Sequence, residues 1–215
     1  MERLSISSFL HHGHPYHLYV YDDIDVPDGV VLQDADEIIP RGQIFKQYGE
    51  RESYAGFANL FRYKLLLDKG GIWADTDIVC LKPITYGMKC VFVAERPWPD
   101  IIQANNCFIK VPAESEVMEL CYYTAVCKDN SKLRWGETGP QLLTRAIQGF
   151  DLEGFIVDDC CSVSWQDWRQ FIDGSKIDLT GTMIHFYQEM WRRDGIDKDA
   201  DFGDCVYEQL KKAYL

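Results

Sequence analysis

The stretch Asn59-Leu60-Phe61-Arg62-Tyr63-Lys64-Leu65-Leu66-Leu67-Asp68-Lys69-Gly70-Gly71-Ile72-Trp73-Ala74-Asp75-Thr76-Asp77 holds a helix, its stop signal and a strand. Tyr54, Phe57, Phe61 and Leu65 recur at helical spacing, and Leu60 and Leu67 widen the apolar stripe. Ser53 is the expected N-cap, and Gly70 is placed to end the helix with a positive φ. Asn59 and Arg62 stand three apart and so share one helix face. After Gly71 a short strand is expected to deliver Asp75 and Asp77 to the same side, since strand side chains alternate faces. Two neighbouring carboxylates repel unless something positive sits between them. A hard divalent cation does this well, because it prefers carboxylate oxygens and shares them with phosphate oxygens. Asp-x-Asp alone is common, and a solvated turn of acids is the plain alternative. The helix, glycine pair and tryptophan leading into it give this one weight.

Outward from that unit, helices and strands alternate. Helices are expected over residues 2–12, 44–48, 114–127, 139–148 and 205–214, with Pro140 at the permitted first position of its helix. Extended segments are expected over 17–21, 30–32, 78–81, 91–95, 101–111 (as one or two strands), 155–157 and 182–186. This pattern predicts an α/β fold, a mixed sheet flanked by helices, over a single domain spanning 1–215. In such sheets ligands gather where strands end at a topological switch, the place Asp75 and Asp77 should occupy.

Composition narrows the class. The 215 residues are 47% hydrophobic and 26% charged, ordinary for a soluble globular chain. A net charge of −12 argues against nucleic acid, whose phosphates need a basic patch. An acidic protein can still take an anionic nucleotide if a metal and a cation such as Arg62 neutralise the diphosphate locally. No run reaches the roughly 20 apolar residues of a membrane-spanning helix, and residues 1–20 lack a signal sequence's apolar core. The eight cysteines form no CxxC pattern and read as free thiols in a reducing, cytoplasmic compartment. Arg192-Arg193 and Lys211-Lys212 allow at most a peripheral membrane contact; solvated surface is their ordinary role.

The run Asn59 to Pro83 (NLFRYKLLLDKGGIWADTDIVCLKP) resembles the core of the DXD-containing glycosyltransferases of the GT-A fold. That group includes yeast-type α-mannosyltransferases, α-1,4-galactosyltransferase-like enzymes and the glucosyltransferase domains of clostridial toxins. Ser7-Ser8-Phe9-Leu10 with Gly13-His14, Asn105-Asn106-Cys107-Phe108-Ile109, Thr138-Gly139-Pro140-Gln141-Leu142-Leu143 and His185 near Trp191 echo further segments in the same order. The resemblance implies a Rossmann-like sheet and a nucleoside diphosphate sugar donor, with UDP-hexose favoured. It also implies Mn²⁺ or Mg²⁺, retention of configuration, and a glycan or other hydroxyl acceptor. Two departures stand out. The family has an acid where this chain has Asn59, and its usual first strand precedes the helix that here starts near Glu2. The sheet is therefore expected to lack that strand or to be completed by another segment.

The resemblance also assigns roles. Asp77 would ligate the cation, with Asp75 contacting sugar or ribose hydroxyls and the metal's shell. Arg62 and Asn59 would contact the donor, although Arg62 could simply pair with Asp68 as helix dressing. His185 would complete the metal's coordination, yet a lone histidine in an apolar strand is usually a core residue. Asn105 and Asn106 would orient sugar hydroxyls, or merely turn the chain. Trp191 would stack on the donor or pack. Glu137 and Gln141 are weak acceptor candidates, as are Trp98, Trp135, Trp165 and Trp168 as a carbohydrate platform. His11, His12 and His14 make no tetrahedral set and are read as a helix boundary. Two other readings remain. One is a haloacid-dehalogenase-like phosphatase using Asp75 as nucleophile, with Asp158-Asp159 as its late acid pair. The other is a degenerate module that binds nucleotide sugar without turnover.

Overall fold

The computed structural model describes residues 1–47, 53–98, 100–162 and 164–215. Its helices are α1 (Glu2–His11), α2 (Ala55–Lys69), α3 (Glu116–Val126), α4 (Pro140–Gly149), α5 (Gln188–Arg193) and α6 (Val206–Tyr214). Its strands are β1 (Tyr16–Val20), β2 (Val30–Asp34), β3 (Gly71–Ala74), β4 (Ile78–Cys80), β5 (Val91–Trp98), β6 (Ile101–Val111), β7 (Ile156–Val157) and β8 (Met183–His185). The mixed α/β architecture is thus present, with its described strands in three ladders, β1-β2, β3-β6-β5-β7 and β4-β8. Pairing is parallel in β1-β2 and β5-β7 and antiparallel elsewhere. No described helix is long and apolar enough to cross a membrane.

The central ladder is filled from both faces. Phe92, Ile109 and Val111 pack with Tyr63 and Leu66 of α2, Val117 and Met118 of α3, and Leu143 and Ile147 of α4. Val91 and Val93, alternating with Phe92, point the other way onto Phe9 of α1 and onto Ile78, Cys80 and Met183 of β4 and β8. A third cluster holds the C-terminal elements, with Trp191, Phe186, Tyr207 and Trp168 around Leu4 and Val79. A fourth seats β1 on α2 through Tyr19, Tyr21, Phe57 and Phe61.

One expectation is corrected and another is resolved between its alternatives. The helix expected over 44–48 is absent from its described part: Arg41–Gln43 forms a 3₁₀ turn and Gln47 bridges Ser53, while Tyr48 lies outside the described residues. Residues 101–111, expected as one or two strands, form one strand with register shifts against β5. Gly70 ends α2 with φ 64°, its N–H donating to Leu66 O. A Cβ there would lie 2.2 Å from the Ala113 backbone nitrogen, so only glycine fits between this helix end and the chain beyond β6.

Candidate metal and nucleotide-sugar site

β3 stops at Ala74, so Asp75 and Asp77 are brought together by a turn and not by strand alternation. The turn is closed by Ile78 N donating to Asp75 O (3.0 Å). It is tied to β6 by Asp75 N to Cys107 O (2.8 Å), and to the end of β8 by Phe186 N to Asp77 O (3.0 Å). The second tie brings His185 alongside. Ligand atoms of Asp75, Asp77 and His185 all lie within 4.8 Å of one another. Two carboxylates and an imidazole form a donor set that could hold a divalent cation.

Each acid is held differently. Asp75 Oδ1 accepts from Arg62 Nη2 and from the Trp73 indole, both at 2.6 Å. Arg62, 4% exposed, also donates through Nη1 to Asn59 Oδ1 (2.6 Å) and lies over the Trp73 ring at 4.9 Å. Asn59 therefore serves Arg62 through its oxygen, as an acid would, without adding charge. Asp77 Oδ2 accepts from Gln188 N (2.9 Å) and faces His185 Nε2 at 3.3 Å. Ser162 Oγ grips the His185 backbone from both sides, accepting from its N–H (2.6 Å) and donating to its carbonyl (2.8 Å). The Tyr187 ring lies 4.0 Å from the His185 ring, and Tyr187 takes φ 51° as the chain turns into α5. The buried His185 Nδ1 and Arg62 Nε have no partner among the described residues.

Electrostatics follow from these contacts. Burial raises the Asp75 pKa; Arg62 opposes and Asp77 reinforces, and the net direction is up. Burial also acts upward on Asp77, but the charge and hydrogen bond of His185 outweigh it and hold Asp77 below the usual carboxylate range. Burial acts downward on His185, and Asp77 with Asp75 and Glu95 overrides it, leaving the imidazole above its ordinary value.

The group opens on a cleft of about 1520 Å³ that is also lined by Asn59, Arg62, Asn105, Asn106 and Gln141. Of the other expected residues, Trp191 is 1% exposed and packs on Phe186 and Tyr207, its indole donating to Phe186 O. It is a core residue in this structure, not a surface for stacking. Glu137 does not line the cleft; its carboxylate accepts from Lys128 Nζ (2.7 Å) and Arg134 N (3.1 Å). Asn105 Oδ1 is turned back onto Cys107 N (2.9 Å). Trp135 and Trp165 line the cleft, Trp98 is exposed elsewhere and Trp168 is buried. His12 meets the Tyr214 hydroxyl and His14 Nε2 accepts from Ile84 N, as boundary residues.

Sequence reasoning missed Ser162, Tyr187 and Glu95. Glu95 is 5% exposed in the cleft and takes a hydrogen bond from Gln103 Nε2 (2.7 Å); burial pushes its carboxyl up. An acid inside an apolar strand was its only sequence signal.

Comparison with known proteins places this geometry. A family model described as "Glycosyltransferase sugar-binding region containing DXD motif" matches residues 6–108, which include Arg62, Asp75, Asp77 and Asn106. The chain is 26% identical over 130 residues to mouse lactosylceramide 4-alpha-galactosyltransferase, covering 52% of this chain and 33% of the mouse protein. With the human protein of the same name it is 26% identical over 125 residues, covering 52% and 34%. The match thus spans about a third of the length of these relatives. Among solved structures, PaToxG glycosyltransferase superposes with a TM-score of 0.46 at 16% identity, covering 69% of this chain and 63% of that one. Residues 6–108, which hold the Asp75–Asp77 pair, thus match the model of glycosyltransferase sugar-binding regions containing a DXD motif over just under half of this chain.

Proposed function

We propose that the protein is a metal-dependent, retaining glycosyltransferase that moves a hexose from a nucleoside diphosphate sugar, UDP-hexose in first place, to a hydroxyl of a glycan or other acceptor. The observation that carries this reading is the convergence of Asp75, Asp77 and His185 within 4.8 Å at the edge of a large cleft. The galactosyl transfer in the names of the mouse and human relatives supports a hexose.

Asp77 and His185, with Asp75 beside them, would hold Mn²⁺ or Mg²⁺. Such an ion, when bound, acts as a Lewis acid on the diphosphate that leaves. Arg62 adds fixed positive charge on the same side, and its position is locked by Asn59, Asp75 and Trp73. Preorganised charge of this kind stabilises a leaving group without reorganisation during the reaction. In the retaining route the leaving phosphate accepts the acceptor's proton, so no separate base is required. Asp75 is poorly suited to act as a free nucleophile, since one of its oxygens already accepts two hydrogen bonds.

The test is thermal melting with UDP-galactose, UDP-glucose and GDP-mannose, each with and without Mn²⁺. Ligand at a hundred times its dissociation constant adds about 2.7 kcal/mol to stability. The expected result is a Mn²⁺-dependent rise with one donor that disappears in Asp77→Ala. No rise with any donor, in protein that melts cooperatively, would overturn the donor reading, whereas a rise without release of the nucleoside diphosphate would favour the module that binds without turnover.

A further inference from the structure

Asn106 is 4% exposed, lines the cleft, and carries a buried carbonyl oxygen, Oδ1, that no described residue satisfies. Its other amide atom explains why. Asn106 Nδ2 lies 2.6 Å from the hydroxyl of Tyr63, a wholly buried side chain of α2. That hydroxyl also lies 2.9 Å from Thr138 O and 3.4 Å from Gly139 O.

A phenol has one proton to give. Backbone carbonyls only accept, and the arrangement that pairs all three groups gives the proton of Tyr63 to the Thr138–Gly139 side. What Tyr63 offers Asn106 is a lone pair, which the amide can meet only with its NH₂. A reversed amide would draw the phenol proton to its own oxygen at the cost of the Tyr63–Thr138 bond. Burial pushes the phenol far above its ordinary pKa, so this proton stays in place at working pH. The order Asn106 N–H, Tyr63 O–H, Thr138 C=O is therefore fixed from one end, and it leaves Asn106 Oδ1 as an acceptor without a donor.

The missing donor has a definable chemistry. Phosphate oxygens are acceptors and cannot supply it, so the diphosphate end of a nucleotide sugar is the wrong part of the ligand. A sugar hydroxyl can donate. Building on the donor reading above, we infer that Tyr63 is a positioning residue that holds Asn106 in acceptor orientation for one hydroxyl of the transferred hexose. Thr138 and Gly139 lead into α4, whose Gln141 lines the same cleft. The loop that enters α4 thereby sets the polarity of the sugar contact.

The experiment compares kcat/KM for UDP release, with Mn²⁺, on whichever of UDP-galactose and UDP-glucose the wild type prefers and on its 2-, 3-, 4- and 6-deoxy analogues. Wild type should penalise one analogue by roughly tenfold or more. In Tyr63→Phe that one penalty should shrink to within about threefold, through a raised KM for the parent sugar, while the other three penalties persist. Asn106→Asp gives a second readout if Tyr63→Phe does not fold. The new carboxyl group, when protonated, can donate to Tyr63 and keep a free carbonyl, whereas the carboxylate cannot. The selective penalty, taken relative to wild type at each pH, should then be present in acid and vanish as pH rises. A full penalty retained in Tyr63→Phe, or no selective position in wild type, would overturn the inference while leaving the donor reading intact. Failure of wild type to bind or turn over any UDP-hexose would overturn both.

Discussion

The two halves of the acid pair sit in contrasting surroundings. Asp75 belongs to the α2–β3 half, where the buried guanidinium of Arg62 balances it at 2.6 Å. Asp77 belongs to the β8–α5 half, where its partners are an imidazole at 3.3 Å and the first peptide N–H of a short helix. Imidazole can give up its proton and turn from counterion into ligand. The α2–β3 half is thus an ion pair between fixed partners, whereas in the β8–α5 half a bound cation would take the place of the protonated imidazole. Neighbouring acids in one motif can be divided between scaffold and chemistry by the partners that other elements bring.

The largest expected effect breaks the contrast at Asp77. In Asp77→Ala, UDP-hexose turnover should fall by about 10³-fold or more, since several kcal/mol of leaving-group stabilisation are at stake at about 1.36 kcal/mol per tenfold. Isothermal titration should find no Mn²⁺ binding, while urea unfolding changes comparatively little. Arg62→Ala should show the reverse priority. Removing one partner of a buried ion pair costs about 3–5 kcal/mol, to be read from the urea midpoint, and a matching loss in Asp77→Ala would erase the distinction.

A smaller effect concerns pH. The folded His185 pKa lies above its ordinary 6.5. Its stabilisation of the metal-free protein is therefore complete below 6.5 and fades as pH rises through the folded value. His185→Gln should flatten that part of the Tm–pH curve relative to wild type. Adding Mn²⁺ should reverse the wild-type slope, because the ion needs the neutral imidazole. The smallest effect is at Glu2, which accepts from Gln188 Nε2 (2.9 Å) and pairs with Lys198, bracing the start of α5. Burial pushes its carboxyl up, but Lys198 and Gln188 prevail and hold it at about 2, against an ordinary 4.5. Its contribution is present above pH 4.5 and lost as pH falls toward 2. Glu2→Gln should remove that acid slope, at a cost of at most about 1 kcal/mol near neutrality for a side chain 40% exposed.

The same division governs what could be read from sequence. α2, its glycine stop and the acid pair lie within a short run, where helical periodicity and turn chemistry act locally. Arg62 and Asn59 follow from three-residue spacing. The partners of Asp77 come from more than a hundred residues downstream, through the β4–β8 pairing, and no local pattern announces them. His185 entered through family resemblance, and Ser162, which fixes its backbone, gave no signal of its own. Trp191 was misplaced for a related reason. An aromatic near a site looks like a stacking surface until the packing of Phe186 and Tyr207 shows it enclosed.

The ladder β1-β2 has a kinetic consequence. It is two strands wide and parallel, it is hydrogen-bonded separately from the central ladder, and Val31 and Leu32 on it are exposed. Two-stranded sheets have little stability of their own, so this one depends on the aromatic contacts of Tyr19 and Tyr21 with α2. Amides of β1 should exchange with deuterium well ahead of those in β5 and β6, in sub-global openings that leave the central ladder closed. Because Tyr16 to Tyr19 line the cleft, the wall that opens first is also one that a ligand would touch. Bound ligand should then register as slowed exchange in β1, even though the acid pair lies on other elements.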